Sequence, residues 1–379
     1  MQFRTFPRIP GVDVSVLGFG CMRLPLVAGG QQIDEEPAQR LLRRAIDAGV
    51  NYVDTAYPYH GGQSEPFVGR ALKQGYRARV QLATKSPTWL VQAESDWERL
   101  LDEQLKRLDT DSIDFYLLHA LDAGRWETVL RCKGLQAMER AKADGRIKHI
   151  GFSFHDSLKV FKPIVQGYDW EFCQIQYNLI DEQYQAGTKG LRLAAERGIG
   201  VIAMEPLRGG TLAVSQPEEV QRIWARSSRH RTPAAWALQW VWNHPEVVTA
   251  LSGMNADVQL AENLAAGDAA LANGLTPEER ALVEEVHGFY AARMLVPCTT
   301  CGYCAPCPSG VSIPEIFSAY NNGGMFNQWK SAAWQYETFI ASGHHGVDQC
   351  LECGACEAKC PQQIPIMAKL KEAGAALTA

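Results

Sequence analysis

The chain has 379 residues, 46% of them hydrophobic, with eleven cysteines and a formal net charge of −5. Such a length accommodates one large domain and a small one, and a core that needs no staples. The mild acidity, with no long run of one sign, argues against a nucleic-acid or anionic-membrane surface. No apolar stretch reaches the about eighteen residues of a membrane span, and the opening MQFRTFPRIPGVDV lacks the apolar core of a signal peptide. The expectation is a soluble, cytoplasmic protein with reduced cysteines, no nucleic acid and no membrane.

From residue 12 to about residue 265, short apolar runs alternate with helical patterns. The runs are VSVLGFG (14–20), NYVDTA (51–56), VQLATK (80–85), IDFYLLH (113–119), HIGFSF (149–154), FCQIQYN (172–178), GVIAMEP (200–206) and VVTALSG (247–253). Each is rich in β-branched and aromatic residues and is followed by a helix-like stretch, which predicts eight βα units. A doubly wound open sheet shares this alternation, but eight regular units favour a closed (β/α)8 TIM barrel. Gly49, Gly145 and Gly198 stand where helices would stop. Ser95 with Glu98 reads as a capping box, and Asp156 as the cap of a later unit.

In a barrel of this kind chemistry gathers where the strands end. Those positions hold Arg23, Asp54 with Tyr59, Lys85, His119, Ser153 with His155, Gln176 with Asn178, and Glu205. TPEE at 276–279 opens another helix, with Thr276 as cap, Pro277 at its first position and Glu279 closing the box. That helix should run to about Met294. The domain boundary is expected there, giving a barrel over 1–293 and a small, mainly helical domain over 294–379.

The tail concentrates eight of the eleven cysteines. PCTTCGYCAPCPSG (297–310) spaces Cys298, Cys301, Cys304 and Cys307 as C-x2-C-x2-C-x2-C-P. CLECGACEAKCPQQIP (350–365) spaces Cys350, Cys353, Cys356 and Cys360 as C-x2-C-x2-C-x3-C-P. The second matches the bacterial ferredoxin run, and the first is one residue short of it. Structural zinc normally joins two separated C-x2-C pairs, whereas successive x2 spacings suit a cubane, so two [4Fe–4S] clusters are expected rather than zinc. By analogy with two-cluster ferredoxins, each run lends its fourth cysteine to the other cluster. Cys360 then joins Cys298, Cys301 and Cys304, while Cys307 joins Cys350, Cys353 and Cys356. SIPEIFSAYNNG and QWKSAAWQYETFIAS, between the motifs, are helical in pattern. Cys21, Cys132 and Cys173 are isolated and read as packing residues.

VDTAYPYHGGQSEPFVGRAL (53–72), TK at 84–85 and IDFYLLHALD (113–122) closely resemble the aldo-keto reductases, and the likeness extends from about residue 12 to the ENL at 262–264. The resemblance implies a catalytic tetrad of Asp54, Tyr59, Lys85 and His119. Tyr59 would exchange a proton with the substrate oxygen, Lys85 would lower the phenol's pKa, Asp54 would hold Lys85, and His119 would orient the oxygen. It also implies a nicotinamide cofactor, held by Ser153, Gln174, Glu262 and Asn263, with His155 and Met204 as substitutes at the nicotinamide. The loop PLRGGTL (206–212), with Arg208 and Gly209, suits a pyrophosphate, and Arg23 completes the expected cofactor residues. Phe154 and Met204 depart from the family's usual asparagine and tyrosine at the nicotinamide. The family's basic positions for a 2′-phosphate fall at Gly253 and Gln259, which favours NAD(H) over NADP(H). No flavin motif is visible, although a flavin is left open as an intermediary. Together with the cysteine tail, the resemblance is to the subgroup that carries a C-terminal ferredoxin-like domain.

The expected activity is interconversion of a small-molecule alcohol and carbonyl, with the clusters relaying electrons to or from an external carrier such as a ferredoxin. The alternative is an electron-transfer or scaffold protein whose barrel binds a ligand or partner without turnover.

Overall fold

Every one of the eight apolar runs becomes a strand of a closed parallel barrel in the computed structural model, which describes residues 1–28, 30, 32–213, 216–298, 304–360 and 362–379. A hairpin of β1 (Phe3–Thr5) and β2 (Asp13–Ser15) precedes the barrel strands β3 (Leu17–Gly20), β4 (Tyr52–Asp54), β5 (Gln81–Ser86), β6 (Ile113–Leu121), β7 (Ile147–Phe154), β8 (Phe172–Gln176), β9 (Gly200–Met204) and β10 (Val247–Ser252). They pair in chain order, and β10 closes the ring onto β3. The first apolar run is therefore split: Asp13–Ser15 pairs antiparallel with Phe3–Thr5, and only Leu17–Gly20 enters the barrel. Ser15 and Asn51 explain the break, because the Asn51 amide oxygen accepts from the Ser15 N–H at 2.7 Å and the Ser15 hydroxyl accepts from the Asn51 N–H at 3.0 Å.

Phe6 follows the first hairpin strand and lies at the start of the barrel strands. Its ring centroid is 5.1 Å from that of Phe115 and 6.0 Å from that of Phe172. A Cβ at Gly200 would fall 2.2 Å from the Phe6 ring, and one at Gly151 would fall 2.6 Å from the Phe172 ring. Glycine is required at both because aromatic rings already occupy that space. One mouth of the barrel is thus filled by apolar side chains, and the polar strand ends collect at the other.

Gly49, Gly145 and Gly198 end helices with φ of +98°, +83° and +70°, as their positions suggested. The Ser95–Glu98 capping box does not form. The helix begins at Ser95 itself, and the Asp96 carboxylate accepts from the N–H groups of Gln92 and Ala93, each at 2.9 Å. An aspartate facing two orphan donors displaces the serine box. Asp156 does not cap the helix Leu158–Gln166, whose cap position is Ser157. Its carboxylate instead accepts from the N–H of Ala123 at 3.0 Å and of Ser157. The Thr276–Glu279 box does form, opening the helix Pro277–Ala292.

The chain divides into two compact units. One comprises Met1–Glu182, Ala186–Val214 and Arg231–Leu275; the other comprises Gln183–Gln185, Ser215–His230 and Thr276–Ala379. The second unit is helical, with Glu218–Trp224, Pro277–Ala292, Ile313–Phe326, Trp329–Phe339 and Ile366–Leu377. Its core of Val296, Ile313, Ile316, Phe317, Ile364 and Leu370 also takes in Cys356. The side-chain amide of Asn321 pairs with both backbone groups of Val296, at 2.9 and 2.8 Å, and so pins the segment leading into Cys298. Among the described residues no helix is long and apolar enough to cross a membrane.

Candidate functional site

Strands β4, β5 and β6 lie side by side, and the register places Asp54 beside Ala83 and Lys85 beside Leu117. This brings Asp54, Lys85 and His119 to one end of the barrel interior. The Lys85 side chain is buried, and its Nζ donates to Asp54 Oδ1 at 2.7 Å, to the Thr55 carbonyl at 2.8 Å and to the Tyr59 hydroxyl at 3.4 Å. These bonds use all three donors of the ammonium. Burial disfavours that charge, but Asp54 and the Tyr59 oxygen more than offset it and hold the Lys85 pKa above its ordinary value. Burial pushes the Asp54 carboxyl up and Lys85 pulls it back. At 2.7 Å, with every lysine donor engaged, the two form an ion pair.

Burial also pushes the Tyr59 phenol upward, and Lys85 only partly counters it. Lys85 thus pulls the phenol down, as expected, but burial outweighs it and the net shift is upward. Asp54 cancels part of the lysine's field, and the contact with the phenol is the longest of the three that Lys85 makes. A phenol held in its protonated form is suited to donating a proton.

His119 is buried on β6, its ring centroid 6.3 Å from that of Tyr59 and 5.1 Å from that of Trp89. Burial, reinforced by Lys85, holds its pKa well below the ordinary histidine value, so the imidazole is neutral. Its Nδ1 is buried without a partner. Three residues fix the peptide that follows it. Thr88 Oγ1 donates to the His119 carbonyl at 2.8 Å, Ser153 Oγ accepts from the Ala120 N–H at 2.7 Å, and Arg125 Nη1 donates to the Ala120 carbonyl at 2.7 Å.

Behind Lys85 lies a second buried polar group. Gln104 Nε2 donates to the Lys85 carbonyl at 3.0 Å and to Glu65 Oε1 at 2.5 Å, and Glu65 Oε1 also accepts from Thr84 Oγ1 at 2.7 Å. Motif reading did not single out Thr88, Gln104 or Arg125. Each acts through contacts made across the fold, for which local spacing carries no signal.

The expected cofactor residues fall into two groups. Ser153, Gln174 and Met204 stand near one another on β7, β8 and β9, with Ser153 paired in register to Gln174. Gln174 Nε2 lies 3.6 Å from Met204 Sδ, and its Oε1 is buried without a partner. Phe154 packs into the interior against Phe161, whereas His155 is exposed. Arg23, Gly209, Glu262 and Asn263 line a cleft of about 220 Å³, together with Glu205, Gly210, Gly253 and Gln259. Gly209 and Gly210 have φ of +66° and +92°, a curl that glycine adopts without strain. Arg208 does not line this cleft. Its Nε donates to Asp181 Oδ2 at 3.1 Å, the same oxygen that accepts from Gln176 and Asn178.

In the second unit the described tail cysteines form no disulfide with one another. Cys298, Cys304, Cys307, Cys350 and Cys360 pack against the core that contains Cys356, and Cys353 is exposed. Cys301 lies outside the described residues. Burial pushes the Cys307 thiol up, but the Ser309 hydroxyl and the backbone N–H groups of Ser309, Val311 and Gly310 outweigh it and hold the thiol below its ordinary value. Donors gathered around a sulfur favour its thiolate, the form that ligates iron. Among the described residues, no three Cys, His, Asp or Glu side chains yet converge on one point.

Comparison with known proteins also finds two parts in the chain, meeting later than the two compact units do. The description "Aldo/keto reductase family" matches residues 16–286. The chain belongs to the aldo/keto reductase family. A second description, "4Fe-4S dicluster domain", matches residues 297–364, so this aldo/keto reductase carries a C-terminal iron–sulfur domain. It is 28% identical to a probable aldo-keto reductase of Glycine max over 68% of this chain and 82% of that protein. It is 27% identical to the L-galactose dehydrogenase of Arabidopsis thaliana over 73% of this chain and 91% of that one. Among solved structures, the holo form of an aldo-keto reductase from Bacillus halodurans is 28% identical. It superposes with a TM-score of 0.62 over 75% of this chain and 96% of its own. An aldo-keto reductase from Klebsiella pneumoniae, in complex with NADPH, is 27% identical with a TM-score of 0.61, over 76% and 96% of the two chains. The reductase is thus an iron–sulfur oxidoreductase built on a TIM barrel.

Proposed function

We propose that the barrel interconverts a small alcohol and its carbonyl, with Asp54, Tyr59, Lys85 and His119 as the catalytic residues. The observation that carries this reading is the buried Lys85 ammonium, bonded at once to Asp54, Thr55 and the Tyr59 hydroxyl beside a neutral His119. In carbonyl reduction Tyr59 donates its proton to the substrate oxygen as negative charge develops there. Lys85 stabilises the tyrosinate left behind, and Asp54 keeps Lys85 charged and in place. A neutral His119 has an N–H to donate to the same oxygen. Thr88, Ser153 and Arg125 keep its backbone from shifting.

A nicotinamide dinucleotide, when bound, supplies or accepts the hydride. The residues present suit it. Gln174 offers a buried amide with an unused oxygen, Gly209 and Gly210 curl a loop beside Arg23, and Glu262 and Asn263 line the same cleft. The Klebsiella relative's complex with NADPH supports the cofactor class. NAD(H) is favoured here because Gly253 and Gln259 line the cleft and neither is basic. Gln259 is further engaged, its Oε1 accepting from the Asn255 N–H at 2.9 Å. Fluorescence titration should therefore give NADH a Kd about tenfold below that of NADPH; a preference for NADPH would reverse the assignment.

The functional boundary is proposed at 293/294, between the stretches matched by the two family descriptions. We assign the tail two [4Fe–4S] clusters with the exchanged fourth ligands Cys360 and Cys307, relaying electrons to or from an external carrier. The thiols on one core and the donors around Cys307 support this. Anaerobically purified protein should contain about eight iron and eight sulfide per chain. Cys353→Ala should lose iron and the broad visible absorption that comes with it. Stoichiometric zinc in a colourless protein would instead indicate zinc sites.

A further inference from the structure

The curled loop at Gly209 already holds a carboxylate supplied by the chain. Glu205 follows β9 with a φ of +54°, a left-handed conformation that a glutamate adopts only at a cost. One of its carboxylate oxygens accepts the N–H of Gly209, and the other lies 3.7 Å from Arg23 Nη2. Gly209 and Arg23 also approach each other, since a Cβ on Gly209 would fall 3.2 Å from Arg23 Nη2. The Arg23 stem also packs closely over Gly253, where a Cβ would fall 3.0 Å from it. A single carboxylate therefore engages both a backbone donor and the guanidinium at the curled loop.

The charges of the cleft sharpen this. Among the described lining residues Arg23 is the one cation, against two carboxylates, Glu205 and Glu262. Arg208 is directed to Asp181 instead. A diphosphate entering here would meet an arginine already paired and an N–H already occupied. Both donors are ones that a diphosphate requires.

We propose that Glu205 is a built-in competitor for the diphosphate of the cofactor, occupying Arg23 and the Gly209 N–H until the dinucleotide displaces it. The proposal rests on the dinucleotide reading of the cleft given above. Glu205 lowers affinity for every dinucleotide and sets how readily the cofactor leaves. Glu205→Gln keeps the size of the side chain and an oxygen that can accept from Gly209, while removing the charge that holds Arg23.

The test is isothermal titration of the full-length protein with ADP-ribose and, separately, NADH, using wild type, Glu205→Gln, Glu205→Ala, Arg23→Ala and the Arg23→Ala/Glu205→Gln double variant, each checked for folding by circular dichroism. Both Glu205 variants are expected to bind ADP-ribose about tenfold more tightly than wild type. Arg23→Ala should bind more weakly, and Glu205→Gln should give little gain in the Arg23→Ala background, because the two side chains act as one unit. Tight binding by the variants with no binding by wild type would support the proposal in its strongest form. If wild type binds both probes and neither Glu205 variant binds more tightly, Glu205 only shapes the loop, and the proposal fails while the cofactor reading stands. If no variant binds either probe, both fail.

Discussion

Tyr59→Phe is expected to lower kcat for carbonyl reduction by about 10²–10⁴-fold and to leave NADH affinity nearly unchanged. The substitution removes one oxygen from a side chain whose remaining contacts are with its ring, including the Lys85 ammonium 5.0 Å from the ring centroid. Steady-state kinetics with a panel of aldehydes and ketones, alongside cofactor titration, reads both quantities. Undiminished turnover in the variant would sink the tetrad assignment. The wild-type pH profile provides an independent check. Burial keeps the phenol protonated above its ordinary range, so reduction should hold across neutral pH and decline only in strong alkali. Oxidation of the alcohol needs the tyrosinate and should rise with pH over the same interval. His119 is neutral at all these pH values, and no inflection near the ordinary histidine pKa is expected.

Lys85→Met should destabilise the fold by about 3–5 kcal/mol, because it strands the Asp54 carboxylate in the barrel interior. Both partners are buried, and Asp54 Oδ2 already lacks a hydrogen bond. Pairing the change with Asp54→Asn removes the uncompensated charge and should restore most of the loss, a coupling that denaturant unfolding of the two single variants and the double variant measures. Activity should not return with stability, since the double variant has nothing to stabilise a tyrosinate. Additive losses would mean that the pair is not an ion pair in solution. Gln104 bears on the same question from behind. Its bond to the Lys85 carbonyl explains how a lysine at a strand end is held without relying on the ion pair alone.

The positions of the strands and the chemistry of the residues at their ends were legible in the chain itself. Eight runs of β-branched and aromatic residues can bury both faces only in a closed or fully covered sheet, and each run carries its polar residue at the point where the apolar pattern stops. Asp54, Lys85 and His119 could therefore be named from spacing and from likeness to a family. So could the tail cysteines, because metal-ligand spacing is a local property. Thr276 was equally plain, since a capping box closes within four residues.

The tertiary structure decided what depends on groups distant in sequence. It split the first apolar run, because Ser15 finds Asn51 thirty-six residues away. It turned Arg208 to Asp181 and away from the cleft, and it set the Tyr59 phenol upward by balancing burial against a lysine that Asp54 already neutralises. Glu205 shows the difference most clearly. As a letter it is one more acidic residue after a strand, and only the curl at Gly209 brings its carboxylate to Arg23. Local patterns record which groups a segment offers. Which of those groups meet, and at what cost in burial, is set by packing between segments that the chain brings together only when it folds.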